Sequence, residues 1–273
     1  KQASDSLKLD FPDDGNLIGV SLPELASGVC KQLAKRKIIT YADAKTKFKE
    51  EISMVSSWLP DKTQIIEYRQ ILEFLNPSWI ITTNYDLVLE NLLTGKSKSL
   101  SPNEYLSAPK GIIPIYHFHG TRLEPESIII TQDDYIPLFR PNDYRRSKLA
   151  LTIRESTTLI IGYSLGDTNV LSAVDWSRNI YRANNEYPHD IIQVLWVKQP
   201  EEKAYRDENN NIIFEISDLH EFLKDLNKRL SEKQRDFDQQ MQSLESLIVE
   251  LESNDAEMIN KFITNENGFR LQL

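Results

Sequence analysis

The sequence predicts an α/β protein: a Rossmann-like, mostly parallel sheet flanked by helices, with a helical subdomain before it and a helical extension after it. Three observations carry this. Short apolar runs of strand length recur from Trp79 onward, rich in Ile and Val. Their apolarity is continuous where a half-exposed sheet would alternate, which suits parallel strands covered on both faces. Segments of helical periodicity fall between several of them, the alternation that builds doubly wound sheets.

Taken in order, residues 1 to 21 carry Asp, Ser, Gly and Pro without periodicity and read as an irregular lead-in. Ser21 before Leu22-Pro23-Glu24 places a cap and an early proline at a helix start. Phe48, Ile52, Val55 and Leu59 continue a four-three-four spacing, and Ile65, Tyr68, Leu72 and Leu75 follow the same helical period at three-four-three until Asn76-Pro77. Residues 22–76 therefore form a helical subdomain. Strands are expected at Trp79 to Thr82, Ile112 to Phe118, Ser127 to Thr131, Thr158 to Tyr163, Ile191 to Val197 and Ile212 to Ile216. Helices are expected at Leu87 to Leu93, Pro141 to Glu155, Val170 to Tyr181 and Leu219 to Leu230. The last part places Leu223, Leu226, Leu230, Phe237, Met241, Leu244, Ile248 and Leu251 at alternating threes and fours, a heptad-like seam interrupted by Lys233. Such a helix either packs on its own domain or joins another domain or protomer. The expected division is 1–230 for the α/β domain and 231–273 for the extension.

Composition narrows the class. The 273 residues are 40% hydrophobic and 27% charged, and no apolar run approaches the roughly 18 residues of a membrane span. The single cysteine, Cys30, excludes an intramolecular disulfide framework and a multi-thiolate zinc site, and points to a reducing, cytoplasmic setting. Lys1 is not Met and no leader follows it, which leads to the expectation of a segment cut from a longer protein. Residues 201 to 260 hold seven Lys and Arg against sixteen Asp and Glu, an excess equal to the net charge of −9. An acidic tail repels a phosphate backbone, so direct nucleic-acid binding is not expected. The one basic cluster, Arg140, Arg145, Arg146, Lys148 and Arg154, reads as a solvated helix face.

In an open parallel sheet ligands sit beyond the carboxyl ends of the strands, so polar residues directly after apolar runs are the candidates. The run from Trp79 stops in Thr82, Thr83, Asn84, Tyr85 and Asp86. The run from Ile112 ends in His117-Phe118-His119-Gly120, and strand alternation places both histidines on one side. The run from Thr158 empties into Gly162, Ser164, Asp167 and Asn169. Each has a purely structural alternative: Asp86 and Asp167 are suited to capping the next helix, and Gly120 to a positive φ or a close approach.

In their order and separation these pieces resemble the sirtuin superfamily, and within it the bacterial sirtuin-like NAD-consuming domains of antiphage defence systems. The matching residues are Thr82-Thr83-Asn84-Tyr85-Asp86, Phe118-His119-Gly120, Ile129-Ile130-Thr131-Gln132-Asp133-Asp134-Tyr135 and Gly162-Tyr163-Ser164-Leu165-Gly166-Asp167, with Ile212 to Leu223 resembling the end of such a domain. The similarity spans about residues 77 to 230. It implies that NAD is the substrate, that Asn84 lies beside the nicotinamide ribose, and that His119 is the general base. Asp86 would hold the nicotinamide end. Thr82, Thr83, Gly162, Ser164, Asp167 and Asn169 would belong to the cofactor-binding surface.

Two departures qualify the resemblance. The Gly-Ala-Gly-x-Ser turn that cradles the pyrophosphate in such domains is missing, since no G-x-G occurs among the nine glycines; it lies upstream of Lys1 or is lost, and Gly15 to Pro23 is a candidate remainder. The four-cysteine zinc ribbon of deacylating sirtuins cannot be built from one cysteine, which favours simple hydrolysis of NAD over deacylation and implies no metal. The resulting expectation is an NAD glycohydrolase effector of a bacterial abortive-infection defence, controlled through homo-oligomerisation or a sensor domain or subunit. The alternative is a catalytically silent NAD or ADP-ribose sensor or scaffold.

Overall fold

The N-terminal helices begin where side chains can satisfy their orphan amides. In the computed structural model, which describes residues 2–9, 21–139, 144–162, 189–208 and 210–251, Ser21 and Glu24 form a reciprocal capping box at the head of α2 (Leu22–Lys37). Thr40 caps α3 (Tyr41–Val55) by accepting from the Asp43 amide, and Asp61 and Gln64 cap α4 (Lys62–Leu75). Asn76, in the left-handed region at φ 43, closes α4 just before Pro77. α3 stops at Val55, so Leu59 lies beyond the helix its spacing suggested. The lead-in differs from expectation in one place: Gln2–Ser6 form a short helix, α1, because Ala3 and Leu9 find apolar cover in the α2–α3 core around Cys30, Leu33 and Phe48.

Apolar runs then form strands in two sheets. The first has the order β1 (Ile80–Thr82), β3 (Ile113–His117), β2 (Ser97–Leu100), all parallel. Every residue of the central strand β3 is buried, as continuous apolarity requires. The second has the order β4 (Thr158–Ile161), β5 (Ile191–Trp196), β7 (Ile212–Ile216), β6 (Tyr205–Arg206), parallel except for the antiparallel edge strand β6. α5 (Val88–Leu92) connects β1 to β2, and α7 (Tyr144–Arg154) precedes β4. Leu149, Ala150 and Ile153 of α7 join Tyr116, Phe118 and Ile191 in one core cluster, while Leu93, Ile113 and Ile115 form another with Leu72 of α4.

The segment Ser127 to Thr131 is not a strand. A 3-10 turn covers Pro125–Ser127, and the backbone groups that follow are taken elsewhere: the Ile129 amide by the His119 carbonyl, the Ile129 carbonyl by the Tyr85 hydroxyl, and the Ile130 and Thr131 amides by Asp134. Those bonds occupy the groups a ladder would need. The helix expected at Val170 to Tyr181 lies outside the described residues.

The chain divides into two compact units, Lys1–Asp218 and Leu219–Leu273. In the second, α8 (Leu219–Leu251) is a single 33-residue helix, about 50 Å long, whose seam residues Phe237 and Met241 are 55% and 36% exposed. Among the described residues, no helix is long and apolar enough to cross a membrane.

Candidate active site

Parallel pairing of β1 with β3 brings two loops side by side. Thr82, the last residue of β1, is the register partner of His117, the last residue of β3. The pairing continues one step further, where the Phe118 amide donates to the Thr82 carbonyl at 2.8 Å. Thr82, Thr83, Asn84 and Asp86 therefore stand next to His119 and Gly120, at the carboxyl ends of neighbouring strands.

The β1 loop is held at several points. Thr82 Oγ1 accepts from the Asn84 amide at 3.1 Å, and the Asn84 carbonyl meets His117 Nδ1 at 3.0 Å. Asp86 Oδ1 accepts from the Val88 amide at 3.0 Å, a side-chain turn onto the first amide of α5, while Leu87 holds the cap position. Asn84, fixed through its main chain, is exposed. Tyr85 ties the loop to the β3 side: its carbonyl accepts from the Arg122 amide and its hydroxyl donates to Ile129.

His117 and His119 have different partners, contrary to the expectation from alternation. β3 ends at His117, and the turn closed by the Gly120 amide on the His117 carbonyl breaks the period of two. His117 is fully buried and bonds Glu90 of α5 through Nε2 at 2.7 Å. His119, 6% exposed, has its ring 5.4 Å from Phe118 and 5.6 Å, edge-on, from Tyr135. Gly120 is required here, with φ 96 and the Ile128 Cα only 2.6 Å from where a Cβ would stand.

Tyr135 is placed by α6 (Gln132–Tyr135), and α6 is pinned from the helical subdomain. Lys49 of α3 reaches Asp134 at 2.8 Å with both side chains nearly buried, and Lys45 adds a contact at 3.3 Å. Burial alone would raise the Asp134 carboxyl, but the Lys49 hydrogen bond and charge and the Thr131 amide outweigh it and hold it below the ordinary carboxylate range. Ser27 Oγ accepts from the Gln132 amide, and Ser53 exchanges hydrogen bonds with Arg122. Lys49→Met should lower stability by about 3 kcal/mol, the low end for breaking a buried pair because Lys45 remains. A depressed carboxylate contributes stability above its ordinary unfolded value, near 3.8, and loses it as pH falls through the folded one. Denaturant titration at neutral pH and near pH 3 checks both points, since the variant's deficit should shrink in acid.

Gly162 follows β4 in the second sheet, with φ 66 and open space where a Cβ would stand. Ser164, Asp167 and Asn169 lie outside the described residues, as do Gly15 to Val20 of the candidate phosphate-loop remainder; Ser21 to Pro23 instead cap and open α2. Arg145, Arg146, Lys148 and Arg154 lie on α7 and are half-buried, so that face is less solvated than expected. Among the described residues, no group of three or more His, Cys, Asp or Glu is disposed to hold a metal ion. Sequence reasoning missed Glu90 and Tyr135 as neighbours of the two histidines. The signal for Glu90 was a lone acid inside the apolar run Leu87 to Leu93.

Comparison with known proteins agrees with this geometry. The family described as SIR2-like domain matches residues 78–215, which include both strand-end loops. The chain is also similar to Defense-associated sirtuin 2 of Bacillus subtilis, with 24% identity over 123 residues, 43% of this chain. It spans 12% of the length of that relative. With the parallel sheet, the paired loops and the family match in agreement, the chain belongs to the SIR2-like domain family.

Proposed function

We propose that this domain hydrolyses NAD to nicotinamide and ADP-ribose. The observation that carries the reading is the juxtaposition of the Asn84 and His119 loops at neighbouring parallel strand ends, locked by the bonds from Phe118 to Thr82 and from His117 to Asn84. Asn84 offers an exposed side-chain amide on an anchored main chain, able to orient a water or a ribose hydroxyl. His119 offers an imidazole whose plane is set by Phe118 and Tyr135.

In the reaction, the bond between the ribose C1′ and the pyridinium nitrogen breaks and its electron pair neutralises the ring as nicotinamide leaves. The C1′ centre passes through an oxocarbenium-like state, as in glycoside hydrolysis, and a water oxygen bonds to it. The water's proton passes to His119 and then to solvent. Asp86, by accepting from the first amide of α5, fixes the far end of the loop on the nicotinamide side. Thr82, Thr83, Gly162, Ser164, Asp167 and Asn169 belong to the surface that holds the ribose and phosphates.

The similarity to a defence-associated sirtuin supports a role as an NAD-consuming effector of antiphage defence. Such an activity harms its own cell when unrestrained, so restraint by assembly through α8, with a second copy or with a sensor, is part of the proposal. A monomeric preparation with full activity would argue against that restraint.

The test is chromatographic: purified protein with NAD, following nicotinamide. Release by the wild type that falls about 100-fold in Asn84→Ala supports the reading. ADP-ribose binding without any release would favour the sensor alternative.

A further inference from the structure

Behind the proposed site lies a charged pair that the reaction above does not use. Both ring nitrogens of the buried His117 are engaged, Nδ1 with the Asn84 carbonyl at 3.0 Å and Nε2 with Glu90 Oε1 at 2.7 Å. A carbonyl and an ionised carboxylate can only accept, so a ring that satisfies both carries both protons and is an imidazolium. Burial alone would strip that charge. The Glu90 hydrogen bond and charge outweigh it, and the Asn84 carbonyl and Asp86 add to them, so His117 titrates above its ordinary value. Glu90 titrates below its own, because His117 outweighs the burial that would raise it, with Ser99 assisting.

We propose that Glu90 and His117 are a positioning pair for catalysis: Glu90 keeps His117 doubly protonated, and His117 clamps the Asn84 carbonyl so that the Asn84 side chain is presented at the strand end. The proposal rests on the reading of Asn84 and His119 as the NAD-cleaving residues and adds a means of regulating them. Neither member of the pair is given contact with the substrate.

Loss of one proton breaks one of the pair's two bonds in either tautomer, so the two-sided hold on the ring is lost. With the remaining proton on Nδ1, the Nε2 lone pair faces Glu90; with it on Nε2, the Nδ1 lone pair faces the Asn84 carbonyl. The charged groups set against the ring are Glu90 from α5 and Asp86 from the β1 loop; Thr82 of β1, its register partner, does not titrate in this range. Since the imidazole is raised, the clamp is complete below its ordinary value and is lost as pH rises through the raised one. Activity should therefore persist above the ordinary imidazole value and decline as pH rises further.

The experiment measures kcat and KM for nicotinamide release against pH in the wild type, Glu90→Gln and His117→Gln, with thermal unfolding of each. Glu90→Gln should lower kcat about 10- to 100-fold, leave KM within about twofold, and bring the alkaline decline to lower pH. A folded Glu90→Gln protein with unchanged kcat and an unchanged alkaline limb overturns the proposal. Nitrogen-15 spectra of the histidine side chains in the wild type decide it independently of variant folding. Two protonated ring nitrogens on His117 above pH 7, with the Asn84 backbone amide shifting as the ring titrates, support it; a singly protonated ring at neutral pH refutes it. A wild type that releases no nicotinamide counts against the proposed function alone, because the spectrum still decides the pair.

Discussion

Gly120→Ala should destabilise the Lys1–Asp218 unit by roughly 3 to 5 kcal/mol. Two effects add. At φ 96 a Cβ is strained whatever the space around it, and the atoms it meets are the Ser127 carbonyl group and the Ile128 Cα at 2.6 Å, all backbone. No rotamer change relieves such an overlap; the 125–131 segment must move away from the end of β3. That displacement would pull the Ile129 amide from the His119 carbonyl and Ile128, fully buried, from the helical core. Thermal unfolding should show a drop of roughly 10 °C. An unchanged transition would mean that the close approach between Gly120 and Ser127 is not present in solution.

His119→Gln should lower the rate of nicotinamide release by about 100- to 10,000-fold, the range a positioned general base supplies. Glutamine nearly fills the imidazole's space and keeps a polar end, but it takes no proton at neutral pH. His119→Ala should lose the same activity and also some stability, since it removes the ring packed against Phe118 and Tyr135. The comparison separates chemistry from packing: equal rates with unequal stabilities identify a base. A glutamine variant that keeps wild-type kcat would remove His119 from that role.

The strands that position the site were legible because burial on both faces leaves a plain mark, and β3 is apolar from Ile113 almost to its end. β2 was not legible: Ser97-Lys98-Ser99-Leu100 carries one apolar residue, and its conformation comes from pairing with β3, which sequence periodicity does not record. The Ser127 to Thr131 run has strand composition, yet the Asp134 carboxylate and the His119 carbonyl claim its amides. His117 and His119 were both visible as candidates, while their separate roles depended on where the strand stopped. Glu90 looked like an ordinary helix acid, because its partner lies 27 residues away and only the fold makes them neighbours.

The bonds that pin the β3 loop and α6 have one further meaning, for the order in which the molecule can assemble. They join Ser53 to Arg122, Lys49 to Asp134 and Ser27 to Gln132, sequence separations of 69, 85 and 105 residues. Contacts of that span form late, because the loops they close must lose their freedom first. During synthesis the packing around the His119 ring cannot be completed until Tyr135 has left the ribosome, although α2 and α3 precede it in the chain. The family match begins only at residue 78, so a fragment trimmed to it would keep both strand-end loops and lack the helices that hold one of them in place.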